Sequence, residues 1–467
     1  MTRSLALALV VSAILAGGAL ALPRATARAD AAVDFATVEN GYPTKLTFKV
    51  TAHADTDITD ASLAYAITGS ASTALGKPTD FQPGKNISTS VVVDTNSGTK
   101  YIPVGSEFTW HWELTTADGK KTSTVDQKFV FLPSGQDWKT AQSDVMVIYY
   151  HGDQQALANT YLKAGLDTYD RMARKLLGIE LKVLPVRVVM FNDTKEAAAA
   201  RQGQGATYDA ATITCGTKFA INVIHITALT NACGDDPADT LRHEFTHIIN
   251  ETAAEGVPGE KGLGRLVPWI DEGTAVNGQL TPGSDYAGAF KAAVASNRIV
   301  PFSGMLVTAT DPRQVVLWYG EAYTMVKYLI DKGPDKYAQF FATIKKGARW
   351  DDALKQVYNL DYAGFESEFR KANGLPPSQS GASPTSRPQQ QASPTARATA
   401  AATPQSTSDS NNGSSDNKAM IIIVGVAVLF GLLALLAFLV SVMMANNRKR
   451  AAPPPGELPP SEPPSAP

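Results

Sequence analysis

Asp236-Pro237-Ala238-Asp239-Thr240-Leu241-Arg242-His243-Glu244-Phe245-Thr246-His247-Ile248-Ile249 is the stretch on which the reading of this chain turns. It opens as a helix. Asp236 can accept from the first free N–H groups, Pro237 suits the first helical position, and Asp239 complements the helix dipole. Leu241, Phe245, Ile248 and Ile249 recur at helical spacing and predict the core-facing side. His243 and His247, four apart, then project from one face, one above the other. Two imidazoles so placed can bind one Zn²⁺ at about 2.0–2.1 Å each. Glu244 lies between them and need not ligate, so it is placed to take a proton from water at the metal. The pattern is short, but the chain has only six histidines and two of them fall into this register.

A catalytic zinc needs a third protein ligand and an open fourth position. Downstream, Pro268-Trp269-Ile270-Asp271-Glu272-Gly273-Thr274-Ala275 opens a second helix. Glu272 stands 25 residues after His247, far enough for the chain to return beside the first helix. It is the expected third ligand. Without the upstream motif, Asp271 and Glu272 would read only as acidic residues favouring a helix N-terminus. Charge developing on an attacked carbonyl needs a donor beside the metal. Tyr319 and Tyr323, four apart on one helical face, can each offer a phenol, and each also reads as core packing. His225 is a further candidate, although a structural strand histidine is the simpler reading.

Around these helices the pattern is α+β. Val145 to Tyr150 and Val186 to Phe191 read as apolar strands, and Phe219 to Ile226 as another. Leu162, Leu166, Tyr169, Met172 and Leu176 mark a helix that Gly178 would cap. From Pro237 to Ala372 the sequence is mostly helical. Residues 136–373 thus form one expected domain, with strands followed by helices. Residues 30–135 read differently. Leu46, Phe48 and Val50 alternate with polar residues, as do Leu63, Tyr65 and Ile67, and Phe108, Trp110, Trp112 and Leu114 put four large apolar side chains on one face. Short strands over about 100 residues predict a β-sandwich of immunoglobulin-like or fibronectin-like type.

His243-Glu244-Phe245-Thr246-His247, together with Trp269-Ile270-Asp271-Glu272-Gly273, resembles the gluzincin metallopeptidases, and more closely the peptidase MA-like group. The resemblance covers about residues 138 to 372 and includes Tyr319-Gly320-Glu321-Ala322-Tyr323. It implies zinc held by His243, His247 and Glu272, with Glu244 as general base, and it favours Tyr319 over Tyr323 as the oxyanion donor. It also implies that the strand before the first helix pairs with extended substrate backbone. Some gluzincins carry an Asp four residues after the third ligand; here that position is Val276, so Asp271 or Asn277 is left to orient a ligating histidine.

The flanks are not globular. Arg3 followed by the apolar run Leu5 to Leu22 and the Ala27-Arg28-Ala29 site reads as a secretory signal over residues 1–29, with a retained N-terminal anchor as the alternative. Residues 374–418 are a Ser/Thr/Pro-rich stalk with almost nothing to bury. Residues 419–444 carry no charge and are long enough to span a bilayer once. Arg448-Lys449-Arg450 then places the Pro-rich tail, 445–467, on the cytoplasmic side. This fits a single-pass cell-membrane protein with an extracellular ectodomain, such as a stalked bacterial cell-surface protein. There it would act on a peptide or protein substrate. A formal net charge of −2 gives no reason to expect nucleic acid. Cys215 and Cys233, the only cysteines, can bridge in an exported setting. Three functions are compatible with this layout: an anchored zinc metallopeptidase, an adhesion or ligand-binding ectodomain whose zinc-bearing domain is weakly active or inactive, or a zinc hydrolase whose substrate is not a peptide.

Overall fold

The computed structural model describes residues 30–97, 100–201, 215–228, 236–255, 265–282, 284–309 and 311–378. The expected signal segment, nearly all of the stalk, the span at 419–444 and the tail lie outside the described residues. Among the described residues no helix is long and apolar enough to cross a membrane.

The first region contains β1 (Ala32–Gly41), β2 (Lys45–Ile67), β3 (Thr73–Gly76), β4 (Gly84–Asp94), β5 (Asn96–Ser97), β6 (Lys100–Tyr101), β7 (Glu107–Thr116), β8 (Lys121–Ser123) and β9 (Gln127–Val130). Seven of these strands share one hydrogen-bonded sheet, with β5 and β6 forming a separate pair. The expectation of two separate sheets is corrected here, and β2 is the reason. Its first half, Lys45 to His53, pairs with β1 and β4, and its second half, from Ile58, pairs with β7 and β3. One long strand therefore serves two arms. The arms close on each other through alternating apolar faces: the Phe48 ring lies 5.1 Å from Trp110 and 6.2 Å from Phe108, centroid to centroid. Phe108, Trp110, Trp112 and Leu114 are all buried, as period-two alternation requires. Each such side chain contributes roughly 1.5–3 kcal/mol by leaving water.

The second region opens with β10 (Lys139–Gln142), β11 (Met146–Tyr150), α1 (Gln155–Thr168), β12 (Val186–Phe191), α2 (Thr194–Ala199), β13 (Gly216–Ala220) and β14 (Val223–Thr227). Its sheet runs β10-β11-β12-β14-β13, parallel through β11, β12 and β14 and antiparallel at both edges. The strand expected from Phe219 to Ile226 is in fact a hairpin. Ile221 and Asn222 make the turn, and β13 becomes the outer edge. The helix expected around Leu162 to Leu176 also differs. Beyond Thr168 it winds as a π-helix, Tyr169–Leu177, so the buried side drifts to Tyr161, Tyr169, Met172 and Leu177 while Leu166 is exposed. Gly178, at φ 64°, ends it as expected.

The helices follow: α3 (Pro237–Asn250), α4 (Pro268–Gly278), α5 (Ser284–Ala295), α6 (Pro312–Asp331), α7 (Pro334–Lys345), α8 (Trp350–Tyr358) and α9 (Tyr362–Ala372). A continuous apolar core of strand and helix side chains, including Val188, Ile224, Leu241, Phe245, Trp269 and Phe340, fixes them against the sheet. The chain is thus a β-rich region followed by a mixed sheet with helices, in agreement with the α+β expectation for residues 136–373.

Candidate metal centre

Helix α3 begins as the sequence requires. The Asp236 side chain accepts from Ala238 N at 2.9 Å, and Pro237 fills the first turn. Leu241, Phe245, Ile248 and Ile249 are buried. That face fixes the rotation of the helix, so His243 and His247 must project on the opposite side, toward α4. Pro268 starts α4, and Glu272 sits in its second turn facing both histidines.

Three atoms converge there. His243 Nε2 and His247 Nε2 are 3.2 Å apart, and Glu272 Oε2 is 3.3 Å from the first and 3.4 Å from the second. Ligands held tetrahedrally at about 2.0–2.1 Å from one zinc stand roughly 3.3 Å from each other. The donor set therefore fits a single Zn²⁺ in both size and chemistry. Among the described residues these three form the cluster with metal-ligand geometry. Glu272 Oε2 is buried and has no hydrogen bond of good geometry, which leaves it free for such a cation.

The carboxylates around the cluster make it a place for positive charge. Burial works against a charged His247, but Asp271 and then Glu272 outweigh it and hold the ring well above its ordinary pKa. Burial also raises Glu272, yet His247 and His243 together hold its carboxyl far below the usual range. Asp271 Oδ1 lies 2.9 Å from His247 Nδ1 and accepts from Asn250 Nδ2 at 2.8 Å. Asp271 thus orients the His247 ring, and Asn250 orients Asp271. Asn277, the other residue considered for that task, donates instead to Gly273 O and Tyr323 O.

A cavity of about 290 Å³ lies over the cluster, lined by Gly216, Thr217 and Lys218 of β13 together with Glu244, Asp271 and Tyr319. Glu244 Oε2 accepts from Lys218 N at 2.9 Å. Gly216 lies so close to α3 that a Cβ there would stand 2.8 Å from Glu244 Cγ and 2.7 Å from Thr240 Cγ2. Tyr319 reaches the cavity, its ring 6.2 Å from that of His243. Burial and then the charge of Glu272 push its hydroxyl far above the usual phenol range, so it remains a donor. Tyr323 lies one turn further along α6 and does not line the cavity. His225 is also outside it: buried, it donates from Nε2 to Val104 O at 2.8 Å.

Several residues of the site carried no sequence signal of their own. Gly216 and Thr217 reach it only because β13 folds back against β14. Tyr286, stacked on Tyr319 at 5.8 Å, lies near enough for the charge of Glu272 to raise it after burial. Asn250 could have been found, since it stands three residues after His247 on the same helix.

Residues 170–373 match the family model of the peptidase MA superfamily, a gluzincin-type assignment. The match takes in α3, α4 and α6, and so the whole cluster, but begins after β10, β11 and α1. No curated protein matches the chain significantly.

Proposed function

With residues 170–373 taken as a peptidase MA superfamily domain, we propose that this protein is a zinc metallopeptidase that hydrolyses peptide bonds. The observation that carries the reading is the convergence of His243, His247 and Glu272 at mutual distances of 3.2–3.4 Å, with Glu244 beside them. A zinc ion held there would supply Lewis acidity, making water a usable nucleophile near neutral pH. Glu244, fixed by Lys218 N–H, takes the proton of the attacking water and returns it to the leaving amine. Tyr319 keeps its proton and donates to the developing oxyanion. Edge strand β13 offers backbone groups to an extended peptide, which gives affinity with little side-chain preference.

The protein acts outside the cell on this reading, held by the span at 419–444 behind the stalk. Cys215 is disulfide-bonded, which fits an oxidising compartment; Cys233, the other cysteine of the chain, is its expected partner and lies outside the described residues.

The test is cleavage of a mixed protein substrate. Wild-type activity should be abolished by a chelator and restored by zinc. Glu244→Gln should retain one zinc per chain and lose about 10²–10⁴-fold in kcat, the range of general acid–base catalysis. Zinc retention with no cleavage by the wild type would instead favour a binding ectodomain.

A further inference from the structure

The β-rich region does not stand apart from the domain that holds the cluster. Val189 and Phe191 of β12, with Ala197 of α2 and the adjoining Ala200, bury themselves in the same apolar cluster as Phe48, Phe108 and Trp110. Glu107 at the start of β7 pairs with the buried Arg187 of β12 at 2.8 Å. Tyr101 of β6 donates to Ala200 O at 2.8 Å. A buried ion pair inside a shared apolar core is not how a module swinging on a linker is attached.

Part of this contact falls on the hairpin that walls the cavity. Val104, in the chain between β6 and β7, gives its carbonyl to His225 Nε2. His225 lies directly across the ladder from Thr217, a cavity residue. In β13 the register slips between Lys218 and Ala220, so Phe219 drops out of the pairing. Its ring packs instead on His225, 4.2 Å between centroids, and on Tyr101, 5.8 Å. At the one place where β13 lacks ladder pairing, a side chain of the β-rich region takes over. Burial pushes His225 down to about 4, so at neutral pH the ring is uncharged and Nε2–H is its donor to Val104 O.

We propose that the β-rich region is a positioning part of the peptidase site: through Tyr101 and Val104 it holds hairpin β13–β14 where Lys218 N–H meets the Glu244 carboxylate. This rests on the reading of Glu244 as the general base. An edge strand has a neighbour on one side only and frays easily. Lys218 N–H must nevertheless stay within hydrogen-bond distance of Glu244 through each turnover, and a displacement of about 1 Å near reacting groups can cost about 10²-fold in rate. Tyr101, Phe219 and His225 are positioning residues; none of them touches the cavity.

The test uses the full chain with Tyr101→Ala and, as a bulk-preserving partner that guards against misfolding, Tyr101→Leu. Amide hydrogen exchange is followed over residues 216–220, beside zinc content, kcat and KM. Tyr101→Ala should speed exchange at β13 about tenfold or more and lower kcat about 10–100-fold, with zinc at one per chain and KM little changed. Tyr101→Leu should show the same pattern at smaller amplitude. Wild-type exchange at β13 in both variants overturns the proposal, as does faster exchange with wild-type kcat. If the wild type itself shows no chelator-sensitive cleavage, the peptidase reading fails, and the exchange data alone still decide whether the β-rich region holds the strand.

Discussion

His225 is buried, His247 is nearly so, and both lie close to the cavity wall, yet their surroundings drive them in opposite directions. Around His225 stand the rings of Phe191 and Phe219 and one backbone carbonyl. Burial dominates there, and the ring is held neutral, with a pKa pushed down to about 4. Around His247 stand Asp271 and Glu272, which outweigh the same burial and raise it. The difference teaches what separates a structural imidazole from a site imidazole. Loss of water favours the neutral ring in both, and carboxylates on two sides make only one of them a place for positive charge.

The sharpest way to break the comparison is to remove the carboxylate that closes the site. Glu272→Ala should take zinc from one per chain to nearly none in elemental analysis of the purified protein. His225→Ala should leave the metal content unchanged. Full zinc in Glu272→Ala would remove Glu272 from the ligand set. A gentler cut, Asp271→Asn, keeps the ligands and weakens only the orientation of His247. Zinc affinity measured by chelator competition should fall about 10–100-fold, the usual effect of losing such a partner. Unchanged affinity would mean that Asn250 and Asp271 serve the helix crossing rather than the metal.

The smallest effects are in stability against pH. The folded pKa of His225 is depressed to about 4 from 6.5, so its contribution is present above 6.5 and lost as pH falls toward 4. Glu321, buried on α6 with Val300 N as its donor, is pushed up to about 8 by burial. Its neutral form is the one the fold accepts, so stability should decline as pH rises from 4.5 to 8. Melting curves should show that His225→Phe flattens the acid side and Glu321→Gln the alkaline side. A Glu321→Gln curve parallel to wild type between pH 4.5 and 8 would show that this carboxyl titrates normally.

Much of this was legible because some signals are local. The alternation in β7, the cap at Asp236 and the four-residue spacing of the histidines each depend on neighbours along the chain. The cluster of His243, His247 and Glu272 assembles where those signals placed it. What stayed hidden depends on contacts between distant segments. The turn at Ile221-Asn222 has no glycine or proline and sits in an apolar run, so one strand was expected where two exist. Asp271 rather than Asn277 meets His247, while Asn277 turns to Gly273 O and to Tyr323 O on α6, contacts that spacing does not encode. Tyr319 and Tyr323 are equivalent by periodicity; the resemblance favours Tyr319, and Tyr319 is the one that lines the cavity. The single bent strand β2, where two sheets were expected, is likewise a matter of length and bulge rather than of pattern.

Gly216 against Glu244 has a counterpart in Gly273, the neighbour of Glu272, which lies against the backbone of Ala322 on α6. At Gly273 main chain meets main chain, and at Gly216 main chain meets the side chains of Thr240 and Glu244; in both places the glycine adds no side chain of its own to the gap. A side chain is an adjustable spacer, able to change rotamer and pass on its looseness. Bare backbone is a fixed gauge. The tolerance of a metal centre is a few tenths of an ångström, and here it would be kept by two atoms that are not there.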